Sequence, residues 1–149
     1  MLKGASEGVD LGELVGAELG ASATPAQMRA NGPKVRIASE GAQALSLVLH
    51  ELATNALKYG ALSQEGGVVD VSWKLVPGAA LELTWRETGG PTIAEAPSRQ
   101  GFGSVLLREV LIKSLNGGLT FDWRREGLIA VLTVPPPAIE TESITQNAN

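Results

Sequence analysis

The chain has 149 residues, 44% of them hydrophobic, with a formal net charge of −4, a single histidine and no cysteine. That length suits one domain with a real core, and an aromatic content of 4% leaves Leu, Val, Ile and Ala to build it. The acidic balance argues against nucleic acid as a partner, the missing cysteines exclude disulfides and thiolate metal sites, and no apolar run reaches the ~20 residues of a membrane span.

Zinc would have to rest almost wholly on carboxylates, and no G-x-S-x-G elbow supplies a hydrolase nucleophile. The start "MLKGASEGVD" has no signal-peptide core. Together these features lead to the expectation of a cytoplasmic domain without membrane contact.

In chain order, "VDLGELVGAELGA" places Leu11, Leu14, Val15 and Leu19 at helical spacing, with Asp10 as N-cap. "TPAQMRANGP" reads as a loop and "KVRIA" (34–38) as a short strand. From Gly41 to Tyr59, Leu45, Val48, Leu49, Leu52, Ala53 and Ala56 follow i, i+3, i+4, i+7, i+8, i+11, the clearest helix in the chain. "VVDVSWKL" and "ALELTWR" alternate apolar and polar residues around "VPGA", predicting a hairpin over 68–86. A glycine- and proline-containing loop follows to Gly103, then a helix over 104–115 that stops at "NGG". "LTFDWRR" and "LIAVLTV" form a second expected hairpin, and the polar tail after "PPP" is expected to be disordered. This order predicts an α+β two-layer sandwich, with helices on one face of a mixed, mostly antiparallel sheet.

On the long helix Glu51, Asn55 and Lys58 fall within about 60° of one another, opposite the apolar face. One reading is a solvated helix surface. The other is a site, because mid-helix Asn has no local reason to be there. A carboxylate can orient or deprotonate a nucleophile, an amide oxygen can ligate Mg²⁺, and an ammonium can neutralise phosphate. Further on, "WRETGGP" (85–91) ends a strand with Glu87 beside two glycines, able to accept from an exocyclic amine. "GFGS" (101–104) opens a helix whose backbone N–H groups can face phosphate.

In order and spacing these segments resemble the catalytic and ATP-binding domain of a sensor histidine kinase, more narrowly the HWE family. That family takes its name from a His in the N box and a Trp-x-Glu in the G1 box. The matching stretches are "HELATNALKYGALS", "WRETGGP" and "GFGSVLL", and the resemblance runs from about Val9 to Pro135. It implies the Bergerat (GHKL ATPase) fold, with ATP and Mg²⁺ as cofactors. By the same resemblance Asn55 is the Mg²⁺ ligand, Lys58 a phosphate contact, and Tyr59 part of the pocket wall. Glu87 stands where most relatives use an Asp to read the adenine amino group, and Gly89 gives the base room. Gly101, Phe102, Gly103 and Ser104 shape the phosphate end of a lid, with Leu106 near the base. Glu51 aligns with a general base of related ATPases and here either fills that role or orients the accepting histidine. His50 reads equally as a nucleotide-site residue and as a satisfied helix histidine, and Trp85 as sheet core.

The chain departs from the wider pattern twice. The Thr that often supports the adenine carboxylate is replaced in "GLIA", and the short lid "PTIAEAPSRQ" predicts modest ATP affinity. No phosphoacceptor histidine accompanies these motifs. The expectation is therefore a domain taken from a longer kinase: residues 1–24 as connection and first helix, 25–136 as ATP-binding domain, 137–149 as tail. Its expected partners are the parent kinase's phosphoacceptor/dimerisation domain and a response regulator downstream. The other functional reading is a non-catalytic nucleotide-binding module of the same fold that binds a partner in the manner of anti-sigma kinases.

Overall fold

A computed structural model describes residues 8–78, 80–93, 115–136 and 139–140, the last pair by backbone only. Strand β1 (Val9–Asp10) leads into helix α1 (Leu11–Gly20), where the Asp10 carboxylate accepts from the Glu13 N–H at 3.0 Å and satisfies one of the helix's unpaired donors. A 3₁₀ turn at Pro25–Gln27 precedes β2 (Met28–Asn31), and β3 (Arg36–Ile37) runs into helix α2 (Ser39–Lys58). After a second 3₁₀ turn at Ala61–Ser63 come β4 (Val68–Val76) and β5 (Ala80–Thr88), then β6 (Gly118–Arg124), β7 (Gly127–Val134) and β8 (Ile139–Glu140).

The main sheet has strand order β2-β4-β5-β7-β6, antiparallel except for the parallel pair β2–β4. Cross-strand register puts Val71 beside Trp85 and Trp85 beside Ala130, so alternate residues of each strand share one face. That face buries Val69, Val71, Leu81, Leu83, Trp85 and Leu132 in one cluster with Leu45, Leu49 and Leu52 of α2 and Leu11, Val15 and Leu19 of α1. Asp70, Lys74, Glu82, Arg86 and Asp122 occupy the other face, where Lys74 and Glu82 sit opposite each other 3.6 Å apart. This is the predicted two-layer sandwich. Truncating a core residue such as Leu52 to Ala would cost about 2–5 kcal/mol. Among the described residues no helix is long and apolar enough to cross a membrane.

Both hairpins and both long helical patterns lie within a few residues of their predicted bounds. The segment read as a loop after α1 contains β2, which pairs Met28–Asn31 with Val69–Ser72. Three of its four residues are exposed, so no alternation marks it, and α1, packed on α2 and β2, delivers it to the sheet edge. The short strand β3 joins a separate three-stranded sheet, order β1-β3-β8. Two residues of the tail, Ile139 and Glu140, thus pair with Ile37 and Arg36. The predicted helix 104–115 falls outside the described residues except at Leu115. Its stop signal is visible in Asn116, which adopts the left-handed φ of 60°.

Candidate functional site

Helix α2 owes its position to its apolar stripe, which is buried from Gly41 to Ala56, and this orientation turns Glu51, Asn55 and Lys58 outward along one line. Glu51 and Asn55 are half-buried and Lys58 exposed, and none of the three side chains has a hydrogen-bond or ion-pair partner among the described residues. Lys58 stands in the last turn, where its charge also complements the helix dipole. Tyr59, 60% exposed, follows as the C-cap, its N–H bonded to the Asn55 carbonyl at 2.8 Å.

His50 points elsewhere. It lies about 100° around the helix from Glu51, with its Nδ1 3.5 Å from Glu18 Oε1 on α1. The same Glu18 accepts from the Ser46 hydroxyl at 2.5 Å, so one α1 carboxylate serves two positions a turn apart on α2. In this structure His50 belongs to a helix–helix contact at the surface.

Past the end of α2 the chain meets the end of β5. Glu87 shares the inward face with Leu83 and Trp85 and is only 6% exposed, the one buried charged residue among those described. Its Oε1 accepts from the Ala61 N–H at 3.1 Å, and its Oε2 from the Trp85 indole N–H at 2.8 Å. Burial pushes the Glu87 carboxyl above its usual range, while the Trp85 bond and the Ala61 bond pull it back. Trp85 and the turn after α2 thus each supply one donor to this carboxylate.

Two glycines make this approach possible. A Cβ on Gly60 would lie 2.2 Å from Glu87 Oε1 and 3.2 Å from Ala56 Cα, so only a bare backbone fits between helix end and carboxylate. Gly89 has φ +79°, and a Cβ there would meet the Gly66 carbonyl oxygen at 2.6 Å, so loop packing demands glycine whether or not a base lies against it. A cavity of about 450 Å³ abuts the same 61–67 loop, lined by Thr24, Gln27, Leu62 and Gln64 among others, and includes none of the stripe residues or Glu87. Gly101, Phe102, Gly103, Ser104 and Leu106 lie outside the described residues.

The structure therefore brings Glu87 to the C-terminal end of the helix that carries Glu51, Asn55 and Lys58. The roles of Trp85, Gly60 and Ala61 were missed from sequence. Trp85 and Glu87 at i and i+2 of one strand must share a face, and that spacing was the available signal.

No family model matches the chain. Curated relatives do. The chain is 43% identical over 107 residues to blue-light-activated histidine kinase 1 of Erythrobacter litoralis, covering 70% of this chain and 29% of that protein. It is 41% identical over 106 residues to the blue-light-activated histidine kinase of Rhizobium johnstonii, covering 70% of this chain and 30% of that one. The chain belongs with the histidine-kinase catalytic domains. The relatives agree with the HWE-type resemblance of the motifs, and the chain spans about 30% of their length.

Solved structures agree in fold. The histidine kinase domain of the Erythrobacter litoralis blue-light-activated kinase superposes with a TM-score of 0.70 at 24% identity, over 88% of this chain and 68% of that one. The catalytic domain of histidine kinase ThkA gives 0.64 at 15% identity, over 85% of this chain and 93% of that one.

Proposed function

We propose that this chain is the ATP-binding catalytic domain of a sensor histidine kinase. In this reading it directs the γ-phosphate of ATP to a histidine on a phosphoacceptor/dimerisation domain outside the chain, from which a response regulator receives it. The observation that carries the reading is Glu87: a carboxylate buried at a strand end, held by two protein donors and closely approached by Gly60. A buried charge costs stability unless its hydrogen bonds are made, and a carboxylate with about two acceptor positions still open suits an exocyclic amine.

The polar stripe fits the other end of the ligand. Asn55 would hold Mg²⁺ through its amide oxygen, and the ion would neutralise phosphate charge. Lys58 would contact phosphate, and Glu51 would act as base or orient the acceptor histidine. All three have their polar groups uncommitted among the described residues, unlike Ser46, His50 and Glu87. Tyr59 would line the pocket, and Gly89, Gly101, Phe102, Gly103, Ser104 and Leu106 keep the roles that the family resemblance implies. His50, bound toward Glu18, is assigned to the helix pair in this reading. The partnership with a response regulator is supported by histidine kinase ThkA, which has been solved in complex with the response regulator protein TrrA and shares this fold at a TM-score of 0.59.

The test is calorimetric titration of the chain with Mg-ATP, then addition of a phosphoacceptor domain from a blue-light-activated histidine kinase in trans with labelled ATP. Binding that needs Mg²⁺ and falls at least about tenfold in Asn55→Ala, together with transfer of label, is the expected result. Binding without transfer to any such acceptor would favour the non-catalytic regulatory module. No binding would refute both readings.

A further inference from the structure

We infer that Trp85 is a positioning residue, its indole N–H fixing the Glu87 carboxylate in the orientation that recognises a nucleotide base. The inference rests on the nucleotide-binding reading above and adds a specific role for a residue that otherwise looks like sheet core.

Trp85 and Glu87 lie two residues apart on β5 and point to the same side of the sheet, the indole only 1% exposed. The Trp85 N–H reaches Glu87 Oε2 at 2.8 Å while the Ala61 N–H reaches Oε1 at 3.1 Å. One donor on each oxygen stops the carboxylate from rotating about its terminal bond. The acceptor positions that remain then point in one direction, as recognition of a planar base edge requires. The close approach of Gly60 to Oε1 closes off the alternative in which the carboxylate swings toward the helix end.

Stability alone does not explain the pair. Apolar residues at both 85 and 87 would fill this part of the core without the desolvation cost of a carboxylate or a buried indole N–H to satisfy. Trp73 makes the contrast concrete, since on the same face its N–H bonds the Pro33 backbone carbonyl and no charged group is involved. Among the described residues Glu87 meets Gly60 and Ala61 past the end of α2, Val69 across on β4 and Gly127 on β7, all uncharged. No titratable side chain contributes to the displacement of its pKa, so among the described residues the two N–H groups are what holds the ionised form in place.

The decisive experiment replaces Trp85 with 3-benzothienylalanine, which keeps the bicyclic outline and puts sulfur where the N–H was, with Trp85→Phe as a genetically simpler companion. Carbon-13 NMR follows the Glu87 carboxyl through a pH titration, and calorimetry measures Mg-ATP affinity across the same range. Loss of a hydrogen bond to a charged group predicts about tenfold weaker ATP binding at neutral pH. It also predicts an upward move of the Glu87 titration, with ATP affinity in the variant starting to fall at a higher pH than in the native chain. Should Trp85→Phe fail to fold, the benzothienyl chain decides the matter alone. ATP binding with overlapping Glu87 titrations and equal pH profiles would overturn the role of Trp85 and leave the functional reading intact. A native chain that binds no ATP would remove the functional reading, and this inference with it.

Discussion

Trp73 and Trp85 occupy neighbouring strands, face the same core, and each place their indole nitrogen 2.8 Å from an acceptor. Trp73 donates to the Pro33 carbonyl and so ties the loop after β2 onto the sheet. Trp85 donates to a buried carboxylate at the far end of the hairpin. One donates to the backbone of an exposed loop residue, while the other donates to a carboxylate that burial makes costly to keep ionised. An equal hydrogen-bond length between two buried indoles and their acceptors therefore says little about purpose, and the nature of the acceptor says a great deal.

That contrast can be broken most forcefully at Trp73. Replacing it with Ala should cost about 3–5 kcal/mol in chemical denaturation, while ATP affinity of the folded fraction stays at the native value. A large affinity loss there would show that the two ends of the sheet are not separable. Next come the glycines against which the two groups rest. A Cβ on Gly32 would lie 2.5 Å from the Trp73 ring, so Gly32→Ala should destabilise by about 1–3 kcal/mol and spare ATP binding. Gly60→Ala should do the reverse: its Cβ displaces the end of a side chain, Glu87 Oε1, so thermal stability changes less and ATP titration shows the larger loss.

Glu87 sharpens the comparison through pH. Its folded pKa lies above the ordinary 4.5, so in that window the folded chain holds a proton that the unfolded chain has released. The glutamate's contribution is therefore fully present below the ordinary value and is lost as pH rises through the folded one. The difference in unfolding free energy between native chain and Glu87→Ala should decline across that window in urea melts at a series of pH values. A flat difference would mean the carboxylate is not desolvated as described. The smallest expected effect is at the helix pair, where His50 is 60% exposed beside Glu18. His50→Ala should cost no more than about 0.5 kcal/mol and leave Mg-ATP titrations unchanged.

The elements that periodicity specifies were legible before any coordinates. A stripe from Leu45 to Ala56 can only be buried by a helix turned one way, and turning it that way sends Glu51, Asn55 and Lys58 outward together. Val69, Val71, Leu81 and Leu83 alternate because a half-buried sheet exposes every second residue, so both hairpins were foreseeable, as was the Asp10 cap. Strand β2 was not legible, because Met28–Asn31 sits on an edge with three exposed residues and acquires its conformation from parallel pairing with a strand forty residues later. The two-residue strands of the small sheet are too short to carry any period.

Residue types and their local order thus determined this chain's layers, its polar stripe and its kinship with histidine-kinase catalytic domains, because helix and strand periods are properties of neighbours along the backbone. That Glu87 accepts from the Ala61 N–H and that Gly60 has no side chain were decided only when α2 met β5, and where His50 turns only when α1 packed on α2. Those contacts join residues twenty-six or more positions apart, and no local spacing encodes a partner at that distance.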